Sequence, residues 1–554
     1  MATTTSSPAS RLFATSVASA SSLMVLQLLS RLFTFALNQA LFRLASPSAF
    51  GAAAIQFELI LSTILFLSRE GVRNALLRVG QDVSADARIR RMNLSFLPIG
   101  LGIPLALATS VAYARYASGE MKRQPYFEEA ILIYAVAAVA ELLSEPLYNV
   151  AMVDLKTNVR VRAEGLGITA KSILTFLILL YDSRAGTGDF ALVAFAVGQM
   201  AYSIVMFLTY TVSFGWVYVC LHVFANPNLR YLNRNAAGGY FDTEIMQLSF
   251  TMTLQSLVKH FLTEGDKMIL SSFSPLRDQG GYALAVNYGS LIARIVFQPI
   301  EETLRVFFSR ILGGTAQKKA SGSRRASLAQ SAAMLQSLLS IQLSLSVILV
   351  IFGSASLPIL LPLLLPKQYL STSAPQVLGA WIWYIPVLAV NGGLEAFLSS
   401  VATPKDLNNQ SRWMIGFSAI YIGSAISFYA LGLGDASLVY ANIVNLSARI
   451  VYSLRYATNF FNEPKATVFR WQDTLPSRTL CVVSGLSAVI IQLSQRRLKA
   501  DEIASELGKR ALLNPSVLIH VGVCGLLALV CLGTWWRASG RYLRFSSFRR
   551  DKVE

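Results

Sequence analysis

The stretch KHFLTEGDKMILSSFSPLRDQGGYALAVNYGSLIARIVFQPIEETLRVFFSR, Lys259–Arg310, is apolar enough to enter lipid, yet Glu264, Asp266, Lys267 and Arg294 stand in its interior. Ionisable side chains at membrane depth are expensive, so they are placed there for function or for pairing. The residues from Arg31 to Arg78 read as a weaker copy of the same stretch. That copy is the strongest internal signal of architecture.

The surrounding composition sets the class. The 554 residues are 54% hydrophobic and 14% charged, with a mean hydropathy of +0.51. A soluble domain carries roughly a quarter charged residues. Too little polar surface is left to cover a soluble body, and the chain is read as an all-α integral membrane protein. The net charge of +18 has two readings, nucleic acid or positively charged cytosolic helix ends. The apolar runs favour the second, with membrane lipids and not nucleic acid as the partner. Cys220, Cys481, Cys524 and Cys531 sit in apolar stretches without metal spacing and are read as small core residues.

Apolar segments of spanning length are expected at about 15–38, 48–68, 94–117, 127–148, 163–182, 190–222, 244–270, 280–311, 330–353, 373–402, 411–431, 435–459, 477–495 and 515–537, some fourteen transmembrane helices. Pro98, Pro104, Pro146, Pro299 and Pro386 are expected to kink them. The Pro-broken run Leu357–Tyr369 reads as an interfacial or re-entrant piece. Arg69 to Arg91, Lys318 to Arg325 and the tail from Arg537 gather Lys and Arg in loops of one parity. The positive-inside rule then places both termini in the cytosol and requires an even helix count. The segment Gln495–Arg510 breaks the pattern with five basic residues, and its amphipathic character suits a membrane surface. The polar start lacks a signal-peptide layout, so the first helix is read as a retained span.

Within the repeat, Ser46-Pro47 corresponds to Ser274-Pro275, and both copies end in one charged pattern, Glu70-x-x-Arg73-x-x-x-x-Arg78 and Glu302-x-x-Arg305-x-x-x-x-Arg310. Small differences in spacing are assigned to loop slack. The copies lie about 230 residues apart, an even number of spans, so the repeat is parallel. The division that follows is a cytosolic segment 1–14, a six-helix bundle 15–224, a cytosolic linker 225–243, a second, pseudo-symmetric six-helix bundle 244–459, an appended helix pair 460–537 and a basic cytosolic tail 538–554.

No GxxxxGK[ST] loop, HExxH, nucleophile elbow or CxxC pair is present, and there are three histidines. An ATP-driven pump or a metal-dependent hydrolase is disfavoured; the chain is read as no enzyme and as needing no cofactor. The candidate substrate-binding residues are Arg31, Lys259, His260, Glu264, Asp266, Lys267 and Arg294. Their cations suit an anionic headgroup such as a diphosphate. A charge pair fixing helix packing, or a snorkelling side chain, is the bland alternative for each. Glu264 and Lys267, three apart, can pair on a helix. Glu70, Arg73, Glu302 and Arg305 are candidate gate or anchor residues, as mirrored Glu–Arg pairs at the cytosolic helix ends.

FLTEGDKMILSSF followed by GGYALAVNYGSLIARIVFQPIEETLRVFF, together with SSLMVLQLLSRLFTFALNQALFRLASPSAFG and FLSREGVRNALLR, resembles the eukaryotic Rft ("requiring fifty-three") family. The resemblance implies a place in the multidrug/oligosaccharidyl-lipid/polysaccharide flippase superfamily, with two six-helix bundles around a central cavity and an added helix pair. It implies the endoplasmic reticulum membrane and movement of a dolichyl-diphosphate-linked heptasaccharide, five mannoses and two N-acetylglucosamines, to the lumenal leaflet. A non-transporting accessory protein of lipid-linked oligosaccharide assembly and a drug/cation antiporter of the same fold are the competing readings. The antiporter would want an acidic cavity. Oligomeric state is not legible in the sequence.

Overall fold

The computed structural model describes residues 35–78, 93–154, 156–215, 241, 243–313, 321–462 and 469–543. Among them every regular element is a helix. Lipid offers no partner for a backbone N–H or C=O, so a spanning segment must satisfy its own, and the helix does this locally. Eleven of the described helices are long and apolar enough to cross a membrane. This is a multi-pass membrane protein.

The chain divides into two compact units, Met1–Ala283 and Leu284–Glu554. The first holds α1 (35–44), α2 (Pro47–Leu77), α3 (Leu97–Tyr116), α4 (Phe127–Val153), α5 (Thr157–Ala185), α6 (Ala191–Phe214), α7 (Thr243–Thr263) and α8 (Gly265–Phe273). The boundary falls inside α9 (Leu276–Ser309). The second unit continues with α10 (Ser321–Leu364), α11 (Ala374–Val401), α12 (Pro404–Ala430), α13 (Ala436–Asn462), α14 (Arg478–Leu498), α15 (Ala500–Leu507) and α16 (Pro515–Leu543). Two expected spans take a different form. The span 244–270 is two helices, α7 and α8, broken at Glu264. The span 435–459 is a 27-residue helix carrying Arg449 and Arg455, and it falls outside the apolar set. Most of the first expected span lies outside the described residues.

The core of the first unit is built from small residues. Ala45, Ala52, Ala130, Ala138, Ala194 and Ala196 are fully buried around Phe57 and Leu142. Lipid tails are as apolar as leucine, so helices gain little by hiding large side chains and associate instead by close backbone approach. In the second unit Leu304 and Phe308 of α9 join Leu335, Phe397, Phe461 and Phe469, with Phe397 stacked on Phe461 at 5.0 Å.

Proline acts as expected in α4. The helix is interrupted at Leu143–Ser144, just before Pro146, and the Ser144 hydroxyl donates to Glu141 O at 2.6 Å. In α9 a π-helical turn, Ala293–Phe297, precedes Pro299, which has no N–H to give the turn behind it. Of the two readings of Leu357–Tyr369, interfacial or re-entrant, the re-entrant one is corrected. Pro358 and Pro362 lie inside α10, which stays helical to Leu364 before a short 3-10 turn, Lys367–Tyr369. Prolines are tolerated in membrane helices where neighbouring groups absorb the freed carbonyls. Gln495–Leu498 finishes α14, and the amphipathic α15 beyond it packs Ala500 and Ala504 against Ile359 of α10 and Val517 of α16.

Candidate functional site

The two copies of the repeat meet inside the first unit. A Cβ on Gly51 would lie 2.7 Å from Gly280 N, and one on Gly280 would lie 2.8 Å from the Pro47 carbonyl carbon. Neither helix has room for a side chain there. The contact is reciprocal: Gly51 is the fifth residue of α2, which starts at Pro47, and Gly280 is the fifth residue of α9, which starts at Leu276. Equivalent positions touching each other are the mark of a local two-fold relation. The contact also corrects the repeat's register. Pro47 matches Leu276 and Ser46 matches Pro275, one residue off the Ser-Pro alignment. Ser46 caps α2 by accepting from Ala49 N at 3.2 Å. At α9 the corresponding support comes from elsewhere: Leu276 N donates to Glu120 at 3.0 Å and the Gln279 amide donates to Ser274 O at 2.8 Å.

The corrected register moves the charged endings apart. Glu70 stands twenty-three residues after Pro47, and Glu302 twenty-six after Leu276. Both helices run unbroken between these points, so no loop absorbs the difference. Three residues turn a helix by about 300°, some 60° short of a full turn, so the two motifs keep nearly the same face but stand about 4.5 Å apart along it. Arg73 is held against α4, where its Nε and Nη2 donate to Glu145 at 2.8 and 2.5 Å, and its guanidinium lies 3.7 Å from the centre of the Tyr148 ring. It does not pair with Glu70, which accepts from Asn74 at 3.1 Å. Glu302 and Arg305 are exposed on α9, flanking the buried Leu304 and Phe308.

Arg69, which sequence reading counted in a basic loop and not among the site residues, lies within α2 and completes its ionic site. Its Nη1 donates to Glu141 at 2.7 Å and to Glu145 at 3.2 Å. Both carboxylates are buried, Glu145 completely. The signal was present as two matched spacings: Arg69 and Arg73 are four apart, and so are Glu141 and Glu145. Each pair lies one turn apart on its helix, so two parallel rungs form when the helices face each other. In the second unit α11 offers one acid, Glu395, which pairs with Arg449 of α13 at 2.5 Å.

The remaining candidates are placed as follows. Arg31 lies outside the described residues, as does the side chain of Lys259. His260 is buried against α2, 2.9 Å from the Thr63 hydroxyl and stacked on Phe66 with ring centres 4.8 Å apart. Just below it Glu264 sits at the α7–α8 break and pairs with Lys267 at 2.8 Å, while Asp266 accepts from Lys267 N at 2.8 Å. These three are together and half-buried. Arg294, in the second unit, folds along its own helix at the π turn. It donates to Ser290 Oγ at 3.0 Å and to Asn287 O at 3.2 Å. α7 follows α2 closely along its length: a Cβ on Gly71 would lie 2.7 Å from Ser249 O.

An open cavity of about 400 Å³ lies inside the first unit. Glu58, Phe66, Arg69 and Glu70 of α2 line it on one side, and Lys171 of α5 with Gln199 and Tyr202 of α6 on the other. The Lys171 ammonium donates to Gln199 Oε1 at 2.7 Å. Among the described residues no group of three or more His, Cys, Asp or Glu is arranged to hold a metal ion.

Comparison with known proteins agrees with this architecture. The solved structure "Lipid II flippase MurJ, inward closed conformation" aligns with a TM-score of 0.56 over 93% of this chain and 99% of that chain, at 14% identity. This is a likeness of fold. Proteins described as "Man(5)GlcNAc(2)-PP-dolichol translocation protein RFT1" are similar along most of their length. The one from Yarrowia lipolytica is 34% identical over 87% of this chain and 75% of its own, and the one from Candida albicans 32% over 82% and 83%. The one from Xenopus tropicalis is 29% identical over 92% of both. The family described as "Rft protein" matches residues 15–539. With a match of that extent, this chain belongs to the Rft protein family.

Proposed function

We propose that this protein moves Man(5)GlcNAc(2)-PP-dolichol from the cytosolic to the lumenal leaflet of the endoplasmic reticulum membrane. The relatives carry that substrate in their descriptions, and the fold is one that a lipid-linked flippase uses. The observation that carries the mechanism is the Gly51–Gly280 contact. Two equivalent helix starts meet there by backbone alone, without interlocking side chains. Such a contact can close tightly and part cleanly, as alternating access requires.

In this reading the dolichyl chain stays in lipid while the headgroup crosses. Arg31, Lys259, Lys267 and Arg294 supply cations for the diphosphate, with His260, Glu264 and Asp266 completing the polar lining. Glu70, Arg73, Glu302 and Arg305 serve as gate or anchor residues. The working division is the bundle 15–224, the linker 225–243, the bundle 244–459, the helix pair 460–537 and the tail 538–554, with segment 1–14 and both termini in the cytosol. The protein performs no covalent chemistry, and transport runs downhill as the lipid is consumed in the lumen. Purified protein in liposomes carrying the lipid-linked heptasaccharide tests this. Transbilayer movement well above that in protein-free vesicles is expected. Movement at the empty-vesicle rate removes direct translocation and leaves an accessory role.

A further inference from the structure

We infer that the cavity inside the first unit is a subsite for the neutral, hydroxyl-rich sugars of the headgroup and not for its diphosphate. The inference rests on the translocation reading for the identity of the sugar. The cavity itself sets the chemistry. Its volume of about 400 Å³ falls among small-ligand pockets, roughly 300–1,000 Å³. It follows α2 from Glu58 to Glu70, twelve residues, about 18 Å at the helical rise. That is a slot, suited to an extended chain of rings.

Charge decides between the two parts of the headgroup. The lining holds three carboxylates, of Glu58, Glu70 and Glu141, against two cations, Arg69 and Lys171. The cations are already engaged: Arg69 with Glu141 and Glu145, and Lys171 with Gln199. A diphosphate entering this slot would meet more acid than free cation, and it would have to break a buried ion pair to be bound. A sugar meets no such penalty. Its hydroxyls donate to carboxylates and accept from an ammonium or amide. Among the described residues neither an ion pair nor a hydrogen bond holds the Glu58 carboxylate. Gln199 is 3% exposed, and its amide hydrogens and the remaining Lys171 protons are donors of the kind a hydroxyl accepts. Phe66 and Tyr202 add flat apolar faces for the C–H side of a pyranose ring.

The probe is the free heptasaccharide, without lipid or diphosphate, added to the full chain in nanodiscs and followed by saturation-transfer NMR, which registers weak binding. Saturation transfer to the mannose protons is expected, with dextran giving none. Gln199→Leu and Glu58→Gln should each weaken it about tenfold, the order expected for one lost hydrogen bond to a charged or buried group, with melting temperatures kept. Should Gln199→Leu fail to fold, Lys171→Met takes its place. Inorganic pyrophosphate should not displace the sugar. The assignment is overturned by no transfer in the wild type, by transfer that survives the cavity variants, or by displacement with pyrophosphate. If the free glycan binds and liposomes show no lipid movement, translocation falls and the subsite stands. If the lipid moves and the glycan does not bind, the subsite falls alone.

Discussion

Arg73 and Arg305 follow a glutamate at the same spacing, and their surroundings set them apart. Arg73 is clamped to a fully buried Glu145, whereas Arg305 is exposed. Removing one partner from a buried ion pair strands the other charge, typically at about 3–5 kcal/mol. Exposed substitutions usually stay within about 0.5 kcal/mol. Arg73→Ala should therefore lower thermal stability clearly in detergent, and Arg305→Ala should leave it nearly unchanged. Equal losses in a thermal unfolding assay would contradict the two environments. Glu145 accepts from both Arg69 and Arg73, so Glu145→Gln and Arg73→Ala should be strongly non-additive in a double-mutant cycle. Simple addition of the two losses would mean the clamp is not a unit. His260 is a similar case. It is one of the candidate substrate-binding residues, and its neighbours come from another helix. The helix breaks at Glu264, and the ring is turned toward Thr63 and Phe66 of α2.

Helices α2 and α9 carry the repeat, and their first turns are pressed backbone to backbone. A methyl group at Gly51 or Gly280 must push the helices apart, and overpacking of this kind costs about 1–3 kcal/mol or more. Gly280→Ala and Gly51→Ala are expected to lower the melting temperature and to slow lipid movement. Gly100 of α3 is the control. A Cβ there meets nothing within 4 Å, and Ala is favoured over Gly in a helix by about 1 kcal/mol. Gly100→Ala should be neutral or stabilising in the same assay; if all three variants behave alike, the close contact is not what matters. Element boundaries also show where sequence reading stops. Hydropathy located α10, but the prolines at 358 and 362 suggested a break that membrane packing does not make. At 44 residues α10 is about 66 Å long, twice the hydrocarbon thickness of about 30 Å, so it extends beyond the membrane.

For the whole molecule, the even helix count predicts both termini on the cytosolic side. In intact microsomes, antibody tags at residue 1 and residue 554 should both be accessible without detergent; protection of either would require an odd count. The membrane class, the positions of most helices, the two-copy pattern and the family were all legible in the chain. Lipid makes them so: with no water to satisfy the backbone, each span must be a helix encoded by a local run of apolar residues, and its basic flanks mark its side. Pairing between helices is not local. The matched spacings of 69 and 73 with 141 and 145 are visible in the sequence, but four-residue spacings of charge recur along the chain and do not by themselves single out this match. The repeat's register was off by one because Ser-Pro looks alike in both copies, while only the Gly51–Gly280 contact fixes which residues are equivalent. Sequence alone determined that charges had been placed in a membrane. The tertiary structure decided which of them are bound to one another and which line a cavity, because that depends on the faces that distant helices turn toward each other.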